Sequence, residues 1–274
     1  MTTLTLSGLY IYPIKSAAGI AISQAQMTAR GLQYDRRWMV VDAQGKFMSQ
    51  RRFPRLALIK VAITDQLKIT APGMPDCSIP LTACSDTETM VEVWGDRVPA
   101  VASPAEVDKW FTQFLGVTCQ LVHMPDSSQR PTDHGKLGSE QIVSFADAYP
   151  FLLISSASLA HLNEKLDSPV PMNRFRPNFV VSGCDRPHAE DDWQQIRIGD
   201  VAFSVAKPCA RCSIPNVDQA TGKRALEPTK TLATYRAWDK AIWFGQNLVE
   251  IGKGDRSGTR SSTLSVGDEI EVLA

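Results

Sequence analysis

Three short segments of the chain gather side chains that could do chemistry. The first is Tyr12-Pro13-Ile14-Lys15-Ser16, joined by Arg36-Arg37 just ahead of an apolar run. A lysine after a proline-broken strand projects its ammonium from a defined edge. The second is Met172-Asn173-Arg174-Phe175-Arg176-Pro177-Asn178. Two arginines at i and i+2 share one side if the backbone is extended, and paired guanidinium forks suit phosphate oxygens. The third is Lys207-Pro208-Cys209-Ala210-Arg211-Cys212, where a nearby cation makes a thiol a better nucleophile or soft-metal ligand. Each has a plain alternative: Lys15 and Arg36-Arg37 as solvated surface charge, and Cys209 and Cys212 as buried apolar filler.

The other chemistry-bearing residues are scattered. Cys77, Cys84 and Cys119 stand in unmarked segments, while Cys184 follows Ser182-Gly183 at the end of a strand pattern. Six cysteines in 274 residues are too few for a disulfide scaffold, and a single CxxC does not complete a four-thiolate zinc or iron–sulfur site. His123, His134, His161 and His188 show no HExxH or short paired spacing, and no GxSxG, GxGxxG or GxxxxGK[ST] string occurs. A pyridoxal enzyme would need a Schiff-base lysine; Lys15 and Lys207 are available, and nothing in the spacing assigns either that role.

The elements that must position these segments are mostly short strands. The patterns read as strands over 4–12 and 20–27, and as hairpins of 38–41 with 46–49 and of 56–63 with 67–70. A further strand covers 90–94. Ser103 with Glu106 fits a capping box, Pro104 fits the first helical position, and Val107, Trp110, Phe111 and Phe114 form a helical stripe ended by Gly116. Strand 117–123 and a polar loop over 125–138 follow. Beyond it come strand 149–154, a helix capped by Ser155 or Ser156 and carrying Leu159, Leu162 and Leu166, and strand 178–181. A hairpin turns at Gly199-Asp200, and a last strand spans 269–273 after Gly267-Asp268. Residues 252–262 read as a surface loop. The fold expected is mainly β with peripheral helices, in two parts: an N-terminal β-barrel-like domain over 1–120 and a mixed β-barrel domain over 125–274.

Length and charge set outer limits. At 274 residues the chain can bury roughly 70–75% of its unfolded surface, so it needs no metal or disulfide merely to fold. Twenty-nine basic and 29 acidic side chains give zero formal charge, which argues against a general grip on nucleic acid. A local basic pocket for one phosphate is compatible with that balance. No apolar run approaches a membrane span, and the start lacks a basic region followed by a long apolar run. A cytoplasmic setting with reduced thiols is therefore expected.

Several long strings carry a resemblance: LYIYPIKS, RGLQYDRRWMVVD with GKFMSQRRFPRLALI, PVPMNRFRPNFVVSG, KPCARCSIPNVD with TG, then LATYR and FGQNL. They resemble the molybdenum cofactor sulfurase C-terminal (MOSC) family. The closer likeness is to the branch that places an N-terminal β-barrel domain before the MOSC domain and includes amidoxime reducing components and bacterial reductases of N-hydroxylated compounds. The likeness runs from about residue 4 to 273. It implies a molybdenum–molybdopterin cofactor with Cys212, the second cysteine of CxRC, as thiolate ligand and Arg211 beside it. Lys15, Ser16 and Arg37 match positions near the pterin phosphate. Asn173, Arg174 and Arg176 match a string that embraces the cofactor's anionic parts. Ser155 and Ser156 match a strand-to-helix turn near it, and Cys184 and Asp185 match a pair placed near the metal. Ala210 and Ala18 depart from residues common in relatives. Pyridoxal phosphate binding is a further family-level association.

The implied activity is reduction of a small N-hydroxylated compound. Some bacterial relatives continue into a ferredoxin-type domain, whereas this sequence stops after its last strand with no four-cysteine plant-type motif. A separate electron donor (a ferredoxin, a flavodoxin or a reductase) is therefore expected. Two other readings stay open: a sulfur carrier or transferase using a persulfide on Cys212 or Cys184, and a protein that hands the cofactor to another.

Overall fold

A computed structural model describes residues 3–82, 87–132, 141–252 and 262–274. Cys84, His134, residues 133–138 of the loop expected over 125–138 and most of the loop expected over 252–262 lie outside the described residues.

The chain is mostly strand with few helices. The largest sheet has nine strands. Its path runs Ile270–Val272, Gln195–Ile198, Val201–Ala210, Ala241–Glu250, Phe151–Ser155, Phe179–Ser182, Thr5–Ile11, Ile20–Ile22, with Ala237–Trp238 hairpinned onto Ala241–Glu250. Phe151–Ser155 and Phe179–Ser182 pair in parallel, and the other pairs on this path are antiparallel. Strands from the first residues of the chain thus hydrogen-bond into a sheet built mainly by its second half. One face of that sheet covers a core containing Leu9, Phe151, Phe179 and Phe203.

The expected barrels are not present, because no sheet is closed on itself among the described residues. Thr5 and Glu269 form one isolated bridge between the first strand and the segment before the last, and no ladder continues from it. A barrel needs a continuous hydrogen-bonded seam around its whole circumference. Here edge strands of three residues end the largest sheet on both sides. The remaining sheets are smaller. Four antiparallel strands run in the order Trp38–Asp42, Cys119–His123, Asp96–Ala102, Glu88–Val93, and two sheets have three strands each.

Helix α1, Ala105–Leu115, buries Val107, Trp110, Phe111 and Phe114 as the periodicity predicts, and Gly116 caps its end in the left-handed region. Its start differs from expectation. Pro104 is the capping residue and no side chain caps the helix, because the helix begins one residue later than a Ser103 box requires. Helix α2, Ser156–Asn163, is capped by Ser155, whose hydroxyl accepts from the Ser158 amide. The strand read over 56–63 begins instead as a 3-10 turn, Pro54–Leu58, with only Lys60–Ile63 extended. Pro54 starts that turn, and proline's fixed φ suits a helical start better than a ladder. Of the second arm read at 46–49, only single bridges form, Phe47 to Val41 and Lys46 to Glu92.

The hairpin joining Glu88–Val93 to Asp96–Ala102 turns on two residues, Trp94 and Gly95, both at positive φ. That is the backbone of a tight hairpin turn, whose first position normally takes Asn, Asp or Gly.

Candidate functional site

A cleft opens where the segment after strand Thr5–Ile11 meets the end of Val201–Ala210. It encloses about 140 Å³ and is lined by Lys15, Ser16, Arg36, Asp147, Arg176, Asn178, Cys209, Arg211 and Cys212 among others. The two halves of the sequence therefore meet at one site.

Local backbone geometry explains how these side chains arrive there. Tyr12 directly follows the first strand. Its amide donates to Asp35 Oδ1 at 2.8 Å, and its buried hydroxyl donates to the Pro177 carbonyl at 2.8 Å. Arg36 and Arg176 stack on the Tyr12 ring, their guanidinium carbons 4.4 and 4.2 Å from its centre. Ser16, Arg36 and Arg176 all have positive φ (67°, 50° and 58°) although none is glycine. Such conformations cost free energy, persist only where the surroundings enforce them, and cluster at functional sites.

Lys15, Arg36, Arg176 and Arg211 bring four cations to the lining, against Asp147 as its carboxylate. Lys15 is buried; its Nζ donates to the Phe145 carbonyl at 2.7 Å and to Asp147 Oδ1 at 2.5 Å. Desolvation pulls the Lys15 ammonium below its ordinary range, and Asp147 offsets part of that. Desolvation works to raise the Asp147 carboxyl. The Lys15 ammonium, with hydrogen bonds from Lys15 and Trp94, overrides it and holds the carboxyl well below the usual carboxylate range. Arg176 donates from Nη1 to the Ala17 carbonyl at 2.6 Å, and burial pushes it down to about 10. Arg211 donates from Nη1 to the Cys209 sulfur at 3.1 Å and from Nη2 to the Phe175 carbonyl at 2.8 Å. Its Nε is buried with no hydrogen-bond partner among the described residues.

Other expected site residues lie elsewhere. Arg37, next to Arg36, is outside the lining and donates instead to the Met124 carbonyl at 2.5 Å and to Asp126 Oδ1 at 2.8 Å. Arg36 is in the left-handed region, and the two side chains leave the backbone in different directions, Arg36 into the cleft and Arg37 toward Met124 and Asp126. Arg174 is buried against the Pro215 carbonyl at 2.6 Å, and Asn173 is exposed. Met172–Arg174 is a 3-10 turn rather than extended chain, so the i, i+2 argument does not hold there. Ser155 is fully buried in a separate knot: its amide donates to Glu190 Oε1 at 3.0 Å, and the Ser158 hydroxyl donates to the same oxygen at 2.7 Å. The anion at that helix start is thus a protein carboxylate. Ser156 is exposed. Cys184 adjoins this knot, its thiol pushed up to about 11 by burial and by Glu190, and Asp185 is exposed. Neither lines the cleft.

Asp147 is a cleft residue that the sequence reading passed over; Arg36 and Asn178 stand in segments it singled out, without a cofactor role assigned to either. Asn178 Oδ1 accepts from Arg36 at 3.0 Å, and its amide donates to Asp35 Oδ2 at 3.2 Å. Its place at the end of the Arg-rich segment was a usable signal. Asp147 carried none beyond its position shortly before a strand.

The donor set suits an anionic cofactor with a soft metal. Lys15 is paired with Asp147 and Arg36 with the buried Asp35, which leaves Arg176 and Arg211 as cations in excess; these two and the orphaned Arg211 Nε suit a bound phosphate. Cys209 and Cys212 put two thiols in the same lining. Among the described residues no group of three or more His, Cys, Asp or Glu side chains could hold a bare metal ion. A metal here would need an organic ligand for most of its coordination.

Residues 3–118 match the MOSC N-terminal beta barrel domain, and residues 140–271 match the MOSC domain. Mitochondrial amidoxime-reducing component 1 of Mus musculus is 34% identical over 289 residues, covering 98% of this chain and 82% of that protein. Mitochondrial amidoxime reducing component 2 of Bos taurus is 33% identical over 280 residues, 97% of this chain and 82% of that one. Molybdenum cofactor sulfurase of Oryza sativa subsp. japonica is 31% identical over 295 residues, covering 98% of this chain but 36% of its own length. The expected cytoplasmic setting is overturned by this comparison, since the relatives matched over most of their length are mitochondrial by name. Among the described residues no helix is long and apolar enough to cross a membrane.

Proposed function

Because the chain belongs to the MOSC family, with both domains of the amidoxime-reducing components along its length, we propose that it is a molybdenum-cofactor oxidoreductase that reduces N-hydroxylated compounds. The observation that carries this reading is the joint lining of one cleft by Cys212 and by the cations Lys15, Arg36, Arg176 and Arg211. Cys212 would supply the thiolate ligand. Arg211 would meet an anionic oxygen with its unpartnered Nε, and Arg36 and Arg176, braced by Tyr12, would face the remaining anionic groups.

When bound, the cofactor supplies a molybdenum centre that passes two electrons to the N–O bond of the substrate. The balance is R–NHOH plus two electrons and two protons to R–NH₂ plus water, with electrons from a separate donor protein. Asp147 and Lys15 hold each other charged at the cleft, so Lys15 would act as a fixed cation there. The preformed donors need little rearrangement to receive an anion, which is how positioned charge assists a reaction.

The test is Cys212→Ala, with Cys209→Ala as control, in cells that make the cofactor. Molybdenum and pterin content and N-hydroxy-compound reduction should be lost in C212A, with content in C209A within about twofold of the wild type. Equal activity in loaded C212A would overturn the ligand assignment. A persulfide on Cys212 without bound molybdenum would favour sulfur transfer instead.

A further inference from the structure

Trp94 is an exposed aromatic residue held in place where exposed aromatics are usually loose. It leaves 49% of its surface to solvent at a hairpin tip, in a backbone conformation (φ 56°) that a bulky side chain rarely adopts. Nothing in the hairpin requires tryptophan, since the turn would be easier with Asn or Gly. Three contacts nevertheless fix the ring. Its Nε1 donates to Asp147 Oδ1 at 3.0 Å, the Phe47 ring lies 5.0 Å away, and the Arg51 guanidinium sits 4.4 Å over it. The same Asp147 oxygen accepts from Lys15 in the cleft.

The place of Trp94 adds to this. Trp94 lines a second cavity, of about 660 Å³, that shares Asp147 and Ala148 with the cleft. A fixed aromatic ring in the cavity adjoining a charged cleft selects flat, apolar groups by stacking and by excluding water.

Resting on the reading of the cleft given above, we propose that Trp94 is an aromatic platform at its mouth. The preferred substrates then carry a planar aromatic or heteroaromatic ring beside the N–O group.

The test compares an aryl amidoxime with an acyclic alkyl amidoxime on cofactor-loaded protein, by equilibrium titration and by turnover, in wild type, Trp94→Ala and Trp94→Phe. W94A should weaken binding of the aryl compound about 3–10-fold and leave the alkyl compound within about twofold. W94F keeps a ring but loses the N–H, and should stay within about twofold of wild type on both. Equal weakening of both compounds, or W94F as poor as W94A, would make Trp94 a positioning residue acting through Asp147 and overturn the platform. So would a W94A effect confined to the electron donor. If wild type binds the aryl compound through Trp94 yet reduces neither compound, the platform stands and the reductase reading falls.

Discussion

Arg174 and Arg176 are two residues apart and serve different purposes. Arg176 donates to the Ala17 carbonyl at 2.6 Å and lines the cleft, while Arg174 donates to the Pro215 carbonyl at 2.6 Å and reaches the Glu227 carbonyl and Asp218. A 3-10 turn ending at Arg174 and a left-handed φ at Arg176 separate their directions.

Opposite consequences are expected for the two. Arg174→Ala strands buried carbonyl groups and should lower stability by about 1.5–3 kcal/mol, with normal cofactor retention in the folded fraction. Arg176→Met should lower cofactor retention by roughly 10–150-fold, the equivalent of one lost charge-assisted contact. Urea unfolding together with molybdenum content after dialysis separates them. Normal retention in R176M, with loss in R174A, would reverse the assignment.

Asp147 should show itself in acid. Its folded-state carboxyl is held below the ordinary value near ~3.9, so its contribution is complete above that pH and is lost as pH falls below it. Asp147→Asn should therefore lower the melting temperature at neutral pH, with the difference from wild type closing as pH falls below about 4, so that the acid limb of the profile flattens. An unchanged acid limb would show that the pair, open to solvent on the Asp147 side, adds nothing measurable.

His123 acts in a higher window. It is buried beside Trp38, and burial, with Arg37 nearby, pushes it down to about 4. Its unfolded value is near ~6.5, so stability held above that pH falls as pH drops toward 4, by roughly 3 kcal/mol at most. An NMR titration should find the His123 ring neutral at pH 6. A midpoint near 6.5 would refute the buried neutral form.

Gly245 stands in the long strand Ala241–Glu250 with φ 82°, and a Cβ there would lie 2.6 Å from Ile154 Cγ1 and 2.8 Å from the Leu153 carbonyl oxygen. Gly73 has a similar φ of 75° and open space around it. Gly73→Ala should cost about 1–2 kcal/mol of conformational strain. Gly245→Ala should cost more than that, because backbone must move as well. Denaturant midpoints of the two variants check the order.

Much of the local structure was legible in the chain itself. The apolar stripe of α1, the Gly199-Asp200 hairpin and the Ser155 cap follow from spacing and turn chemistry. These are short-range properties, decided within a few residues. Which member of a pair faces the cleft was not legible. Arg36 rather than Arg37 lines it, and Arg176 rather than Arg174, because left-handed residues break the simple alternation of side chains. Nor was it visible that Glu190 already occupies the helix start at Ser155, or that Asp147 joins Lys15 to Trp94. Partners 35, 132 and 53 residues apart meet only when the sheets are assembled. The open sheet itself belongs to this class. Strand patterns state that residues alternate in and out, whereas closure depends on whether strands far apart in sequence find a complete ladder, and here, among the described residues, only the bridge of Thr5 to Glu269 joins the two ends of the path.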